Sequence, residues 1–155
     1  MQTFVPYIDH YETARALDYR RLGKQRVETF QILKSLYLYL YINKPRGWMR
    51  HPAVLMWKGH ERALIEYGLV MCEVWKERGY KDTTSKKIEN MAQYFPEESS
   101  RLPDWWGDES IHKSHRSRLL EKDWEYYTLL FLEDEPSEDY VWPDIQEFSI
   151  SDKAS

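Results

Sequence analysis

At 155 residues the chain is long enough for one domain that buries a core without staples, and its single cysteine, Cys72, excludes an internal disulfide and a multi-cysteine zinc site. No apolar run reaches bilayer-spanning length, and Met1-Gln-Thr-Phe-Val-Pro6 carries neither a basic n-region nor a signal h-region, so a cytoplasmic protein with no membrane segment is expected. The net charge of −4 argues weakly against nucleic acid until it is divided: from Asp123 onward ten acids face one base, which leaves 21 bases against 16 acids in residues 1–122. A basic body suits a polyanion, with an acidic tail that folds elsewhere or competes for the same surface; a self-complementary fold that binds nothing would show the same split.

In chain order, Asp9-His-Tyr-Glu12 has the form of a capping box and predicts a helix to Leu22, which Gly23 breaks or bends. Val27, Phe30, Leu33, Leu36 and Leu40 continue at helical spacing from Lys24 to about Tyr39, while Tyr37–Tyr41 alternates and is ambiguous. Asn43-Lys-Pro-Arg-Gly-Trp48 reads as a loop. His51-Pro52 opens the longest predicted helix, to about Arg78, ending at Gly79. Its apolar stripe, Val54, Trp57, Leu64, Gly68, Cys72 and Trp75, is interrupted by Glu61, either a buried ion-pair partner or an acid with a raised pKa. A shorter helix runs from Thr83 to near Phe95, and Asp108 caps another through Lys122. A last helical piece ends at Phe131. The class is mainly α: a compact single domain over residues 1–132, then an irregular acidic tail, 133–155, docking through Tyr140-Val-Trp-Pro143.

Residues 17–28 carry the strongest functional signal. Arg20, Arg21, Lys24 and Arg26 fall within seven residues, and Gln25 and Glu28 share a helix face with Arg21. Such a cluster grips phosphate and offers a carboxylate for acid–base work, or is a solvated helix face. Ile111-His-Lys-Ser-His-Arg-Ser-Arg118 aligns His112, His115 and Arg116, with Arg118 close by. Donors of this kind suit a phosphate backbone, alongside His51; with Asp108 the two histidines would instead supply three ligands of a metal site, the weaker reading. Trp48, Trp105 and Trp106 lie in predicted loops, where they line a pocket for an extruded base or cap the core. Phosphate-binding glycine loops and a nucleophile elbow are absent.

These segments resemble the pyrimidine-dimer DNA glycosylase (endonuclease V-like) family. The likeness to its phage form rests on Leu17-Asp-Tyr-Arg-Arg-Leu22, Trp75-Lys-Glu-Arg-Gly-Tyr-Lys-Asp-Thr-Thr84 and Trp124-Glu-Tyr-Tyr127. A nearer likeness, to a little-characterised bacterial branch, rests on Met1-Gln-Thr-Phe4, Arg21-Leu-Gly-Lys-Gln-Arg-Val-Glu28, His51-Pro-Ala-Val54, Trp105-Trp-Gly-Asp108, His112-Lys-Ser-His-Arg-Ser117 and Tyr140-Val-Trp-Pro143. The resemblance implies a helical enzyme that cleaves an N-glycosidic bond in double-stranded DNA, as a monomer without cofactor or metal. An amine attacks the sugar C1′ and a carboxylate supports the oxocarbenium-like charge.

Two departures follow. Gln2 is too large for removal of the initiator residue, so the α-amine would belong to Met1. The family's glutamate position is held by Arg21, with Arg20 beside it, and a cation cannot stabilise developing positive charge. The acid must then be Glu28, Asp108 or Glu61, in that order, and Lys24 is a second amine. The expected activity is excision of a damaged or modified pyrimidine, with or without strand cleavage at the abasic site. The alternatives are a non-catalytic DNA-binding module of the same fold, and a metal-dependent hydrolase built on His112, His115 and Asp108.

Overall fold

The structure is a computed structural model and describes residues 1–42 and 50–144; Trp48 and the predicted loop around it lie outside the described residues. Among the described residues there are seven α-helices and no β-strand: α1 (His10–Ala16), α2 (Tyr19–Tyr37), α3 (Pro52–Leu55), α4 (Glu61–Glu77), α5 (Ser85–Met91), α6 (Glu109–Lys122) and α7 (Trp124–Tyr127). The mainly α class read from the sequence is the class observed.

Helix α1 starts as predicted, with Asp9 accepting from the Glu12 amide at 2.9 Å, but it stops at Ala16 rather than Leu22. Leu17 turns extended (ψ 138°) and Asp18 opens α2, so Gly23 lies inside a continuous helix and bends nothing. Its missing Cβ makes room for the Trp75 ring, whose atoms lie 3.1 Å from where that carbon would sit. The ambiguous Tyr37–Tyr41 stretch is a π-helical turn, Leu38–Ile42. The long helix predicted from His51 is two helices. Gly59 adopts φ 86°, which no right-handed helix continues, and α4 begins only at Glu61. Gly79 (φ 94°) ends α4 where the sequence placed it.

The core is a crossing of α2 on α4, flanked by α1 and α5. Gly68 leaves room at this crossing: a Cβ there would stand 2.4 Å from Thr29 Cγ2, so any side chain would displace its neighbours. Cys72 is buried beside it on α4, and burial, reinforced by the Asp82 carboxylate, pushes its thiol up to about 12, so it acts as packing rather than as a nucleophile.

The N-terminal segment has the least common arrangement in the molecule. Gln2, Thr3, Phe4 and Val5 thread through the interior as a lone extended strand, each at most 5% exposed. No sheet satisfies their backbone groups, and buried peptide groups must be bonded. Side chains from three helices, α2, α4 and α6, do it instead. The Phe4 amide donates to Gln25 Oε1 (2.9 Å), Gln25 Nε2 donates to Gln2 O (3.1 Å), and the Tyr67 hydroxyl donates to Phe4 O (2.7 Å). Trp57 Nε1 donates to Thr3 Oγ1 at 2.8 Å. On α6, His115 Nδ1 accepts from the Val5 amide (2.9 Å). His112 Nε2 accepts from the Gly107 amide (3.0 Å), which leaves the proton on Nδ1 to donate to Val5 O (2.7 Å). Both rings act as neutral hydrogen-bonding spacers; burial, with His112 nearby, depresses His115 to about 3.

Candidate active site

Where that strand emerges, a cleft of about 1040 Å³ opens between α2, the C-terminal end of α6, and the tail. Its floor holds Met1, Gln2, Gln25 and Glu28; its rim holds Arg20, Arg21, Lys24, Arg118 and Lys122; Tyr140 and Trp142 of the tail and His51 close one side.

Glu28 lines this space. Its Oε2 accepts from the Gln2 amide at 3.4 Å and from Gln25 Nε2 at 3.3 Å, one residue from the chain's α-amine. Burial raises Glu28 above the ordinary carboxylate range, against the opposing pull of the Gln2 amide, the N-terminal charge, Lys24 and Gln25. A half-buried carboxyl raised in this way, one residue from the α-amine, is suited to giving and taking a proton. His51, the N-cap of α3, accepts from the Ala53 amide through Nδ1 (3.0 Å), and burial together with the N-terminal charge lowers its pKa.

The rim is crowded with like charge. Burial lowers the Lys122 pKa, and the neighbouring Arg118, Arg21 and Lys24 lower it further while Glu121 opposes. Arg21 donates to Asp18 Oδ1 at 3.2 Å. Asp18 is itself pinned by the Tyr127 hydroxyl; burial would raise that carboxyl, but the Tyr127 and Arg21 contacts outweigh it and the net shift is downward. Arg20 donates to the Tyr19 hydroxyl (3.1 Å) and Arg118 to Glu121 (2.5 Å). An anion arriving here relieves repulsion among the cations.

Several sequence expectations are corrected by position. Gln25, His112 and His115 were read as DNA-contacting; they are 1%, 1% and 0% exposed and hold the N-terminal strand. Arg26 is ion-paired with Asp82, whose side chain is fully buried, and lies over the Trp75 ring at 4.3 Å. Arg116 bonds Glu109, Asp134 (2.8 Å) and Pro6 O (2.9 Å). Neither guanidinium lines the cleft. Trp105 donates to Met56 O (2.9 Å) in the core, and Trp106 packs edge-on against His10 and His112, so neither lines the cleft. Asp108 caps α6 through the Ser110 amide (3.0 Å) and is exposed away from the cleft. Glu61 is buried at the start of α4, raised by burial, and absent from the cleft lining. The predicted metal ligands do not converge: both ring nitrogens of His112 are bonded to backbone groups, and Asp108 faces outward. Sequence reasoning missed Lys122, Tyr140 and Trp142 as cleft residues; the aromatic docking motif at 140–143 was the available signal for the last two.

Residues 1–88 match the family described as pyrimidine dimer DNA glycosylase. The chain belongs to that family. Membership carries the activity class, a DNA N-glycosylase, and DNA as the substrate. The matched stretch contains the N-terminal strand, the α2 cluster with Glu28, and His51, whereas Arg118, Lys122 and the tail aromatics lie beyond it. No curated protein and no solved structure matches the chain. No described helix is long and apolar enough to cross a membrane.

Proposed function

We propose that the chain excises a damaged or modified pyrimidine from duplex DNA, with the α-amine of Met1 as nucleophile at C1′ and Glu28 as the acid–base carboxylate. The observation that supports this is the Gln2 amide, one residue from the α-amine, bonded to Glu28 Oε2 at 3.4 Å, with Met1 and Glu28 lining the same cationic cleft. As the amine nitrogen bonds to C1′, the N-glycosidic bond breaks and its electron pair leaves with the base, which takes up a proton. Glu28 accepts the proton released from the attacking nitrogen, and its carboxylate balances the positive charge that builds on the sugar. Opening of the sugar ring gives an imine. Water then releases it as an abasic site, or β-elimination cuts the strand on its 3′ side.

Arg21, in the position where the family resemblance expects a glutamate, supports the altered assignment: Glu28, seven residues on, enters the same cleft from the same helix face. The cleft lies at the upper end of the usual range for a small-molecule pocket, with room for an enlarged modified cytosine as well as for the dimer. The Arg21 replacement also motivates the second reading, a DNA-binding module without turnover.

Borohydride reduction in the presence of a substrate duplex tests the nucleophile. The expected result is a covalent protein–DNA adduct on the peptide that begins at Met1. An adduct on Lys24 would move the amine, and base release without any adduct would make water the nucleophile.

A further inference from the structure

The tail enters the cleft by a fixed route. Asp134 is held by Arg116 Nε at 2.8 Å, the Ser137 amide donates to Ser117 O at 3.0 Å, and the chain crosses α6 to deliver Tyr140 and Trp142 to the cleft wall. Tyr140 lies edge-on to His115 (ring centroids 5.5 Å, 74°) and near Phe4 (6.5 Å), and the Arg118 guanidinium sits 5.9 Å from its centroid. Trp142 is 5.3 Å from Tyr140 and edge-on to His51 at 6.0 Å. Both rings are half-buried. They stand on the structure that places the amine, since His115 also holds the Val5 amide.

An acidic tail acting as an electrostatic plug would present carboxylates to the cationic rim. Among the described residues 133–144, the side chains that line the cleft are instead Tyr140 and Trp142, and Asp134 is spent on Arg116 outside it. Partly exposed aromatic rings beside cations are what a planar heterocycle needs: a face to stack on and positive charge for the flanking phosphates.

We propose that Tyr140 and Trp142 form the surface that receives the extruded base, so that the acidic tail is part of the substrate site. The proposal rests on the glycosylase reading above and adds the element that holds the base while the amine attacks. An extruded base costs a few kcal/mol to unstack, and stacking on protein rings offsets part of that.

The test compares the full-length wild type with Trp142→Ala and Trp142→Phe on three probes. The first is a pair of base-bearing duplexes, one ultraviolet-irradiated and one carrying 5-hydroxymethylcytosine. The second is a duplex with a preformed abasic site, which has no base to hold. The third is a duplex with one unpaired 2-aminopurine, whose fluorescence falls when it stacks and which needs no catalysis. Trp142→Ala is expected to slow base release by roughly 5- to 150-fold, the range of one lost stacking contact. It should leave borohydride trapping on the abasic duplex unchanged and lose the 2-aminopurine quench. Trp142→Phe should restore both the release and the quench. Wild-type or faster release by Trp142→Ala, as a plugging tail would give, overturns the proposal, as does equal loss of abasic-site trapping or an undiminished quench. If the wild type releases no base from either duplex, the glycosylase reading is what fails, and the 2-aminopurine quench alone then decides whether the rings receive a base.

Discussion

Glu28→Gln is expected to slow base release about 10²- to 10⁴-fold while leaving the fold and duplex affinity in place. The substitution is close to isosteric, and the two donors that reach Glu28 Oε2, the Gln2 amide and Gln25 Nε2, find an amide oxygen in the same position. The amide cannot carry a proton to or from the reacting nitrogen, nor offset positive charge on the sugar. Proton transfer by a positioned group is worth about 10²- to 10⁴-fold, so single-turnover excision should fall by that factor. Duplex affinity should hold or rise slightly, because one negative charge leaves a cationic cleft. The wild-type pH profile supplies a second check. Burial raises Glu28, so the ionised form needed as base appears only above the ordinary carboxylate range, and activity should climb with pH through that raised value. The corresponding limb should vanish in Glu28→Gln. Turnover that survives the substitution with its acid limb intact would remove Glu28 from the mechanism.

Duplex binding should weaken steeply with salt, and only some of the basic residues should matter. Five cations border the cleft, two of them partly neutralised by Asp18 and Glu121. Counting three to five phosphate contacts, the affinity should drop about 40- to 500-fold between 50 and 200 mM salt. Lys24→Gln and Lys122→Gln should each flatten the logarithmic slope by about one unit. Arg26→Gln should leave the slope unchanged and instead destabilise the fold by about 1–3 kcal/mol, since it takes the cation from Asp82 and leaves that carboxylate the Thr84 and Ser85 amides alone. That carboxylate is held down at about 2: burial would raise it, but its bonds to Ser85, Arg26 and Thr84 prevail. Salt titrations of the three variants by fluorescence anisotropy, with chemical denaturation alongside, separate the two outcomes. A shallow wild-type slope would remove the polyanion argument.

That contrast also shows what the sequence could and could not reveal. Local signals were legible where chemistry is local: the Asp9 and Asp108 caps, the Gly79 stop, and Arg20, Arg21 and Lys24 of the basic cluster on α2, which face the cleft. The assignment of Glu28 as first candidate acid came from its spacing to Arg21, and both residues line the cleft. Misreadings arose where a polar side chain serves a distant backbone. Gln25, His112 and His115 look like surface donors on their own helices, but they bond residues 2–5, more than a hundred positions away in the case of the histidines. Helical periodicity carries no information about a lone buried strand, because that strand forms no element of its own. Arg26 and Arg116 were misread for the same reason: their partners, Asp82 and Asp134, belong to segments without a period to read. The loop tryptophans at 105 and 106 turned inward because Trp105 finds the Met56 carbonyl that the break between α3 and α4 exposes.

The buried polar groups thus have a common purpose. Side chains on α2, α4 and α6 supply donors and acceptors to one short N-terminal segment, whose Gln2 amide reaches Glu28. Base release measures that arrangement most directly. Single-turnover formation of alkali-sensitive abasic sites should be followed on three duplexes: ultraviolet-irradiated, carrying a modified cytosine, and unmodified. The account predicts release from one of the first two and none from the unmodified duplex. Silence on both altered duplexes, with salt-sensitive binding intact, would contradict it and leave a DNA-binding module in place of an enzyme.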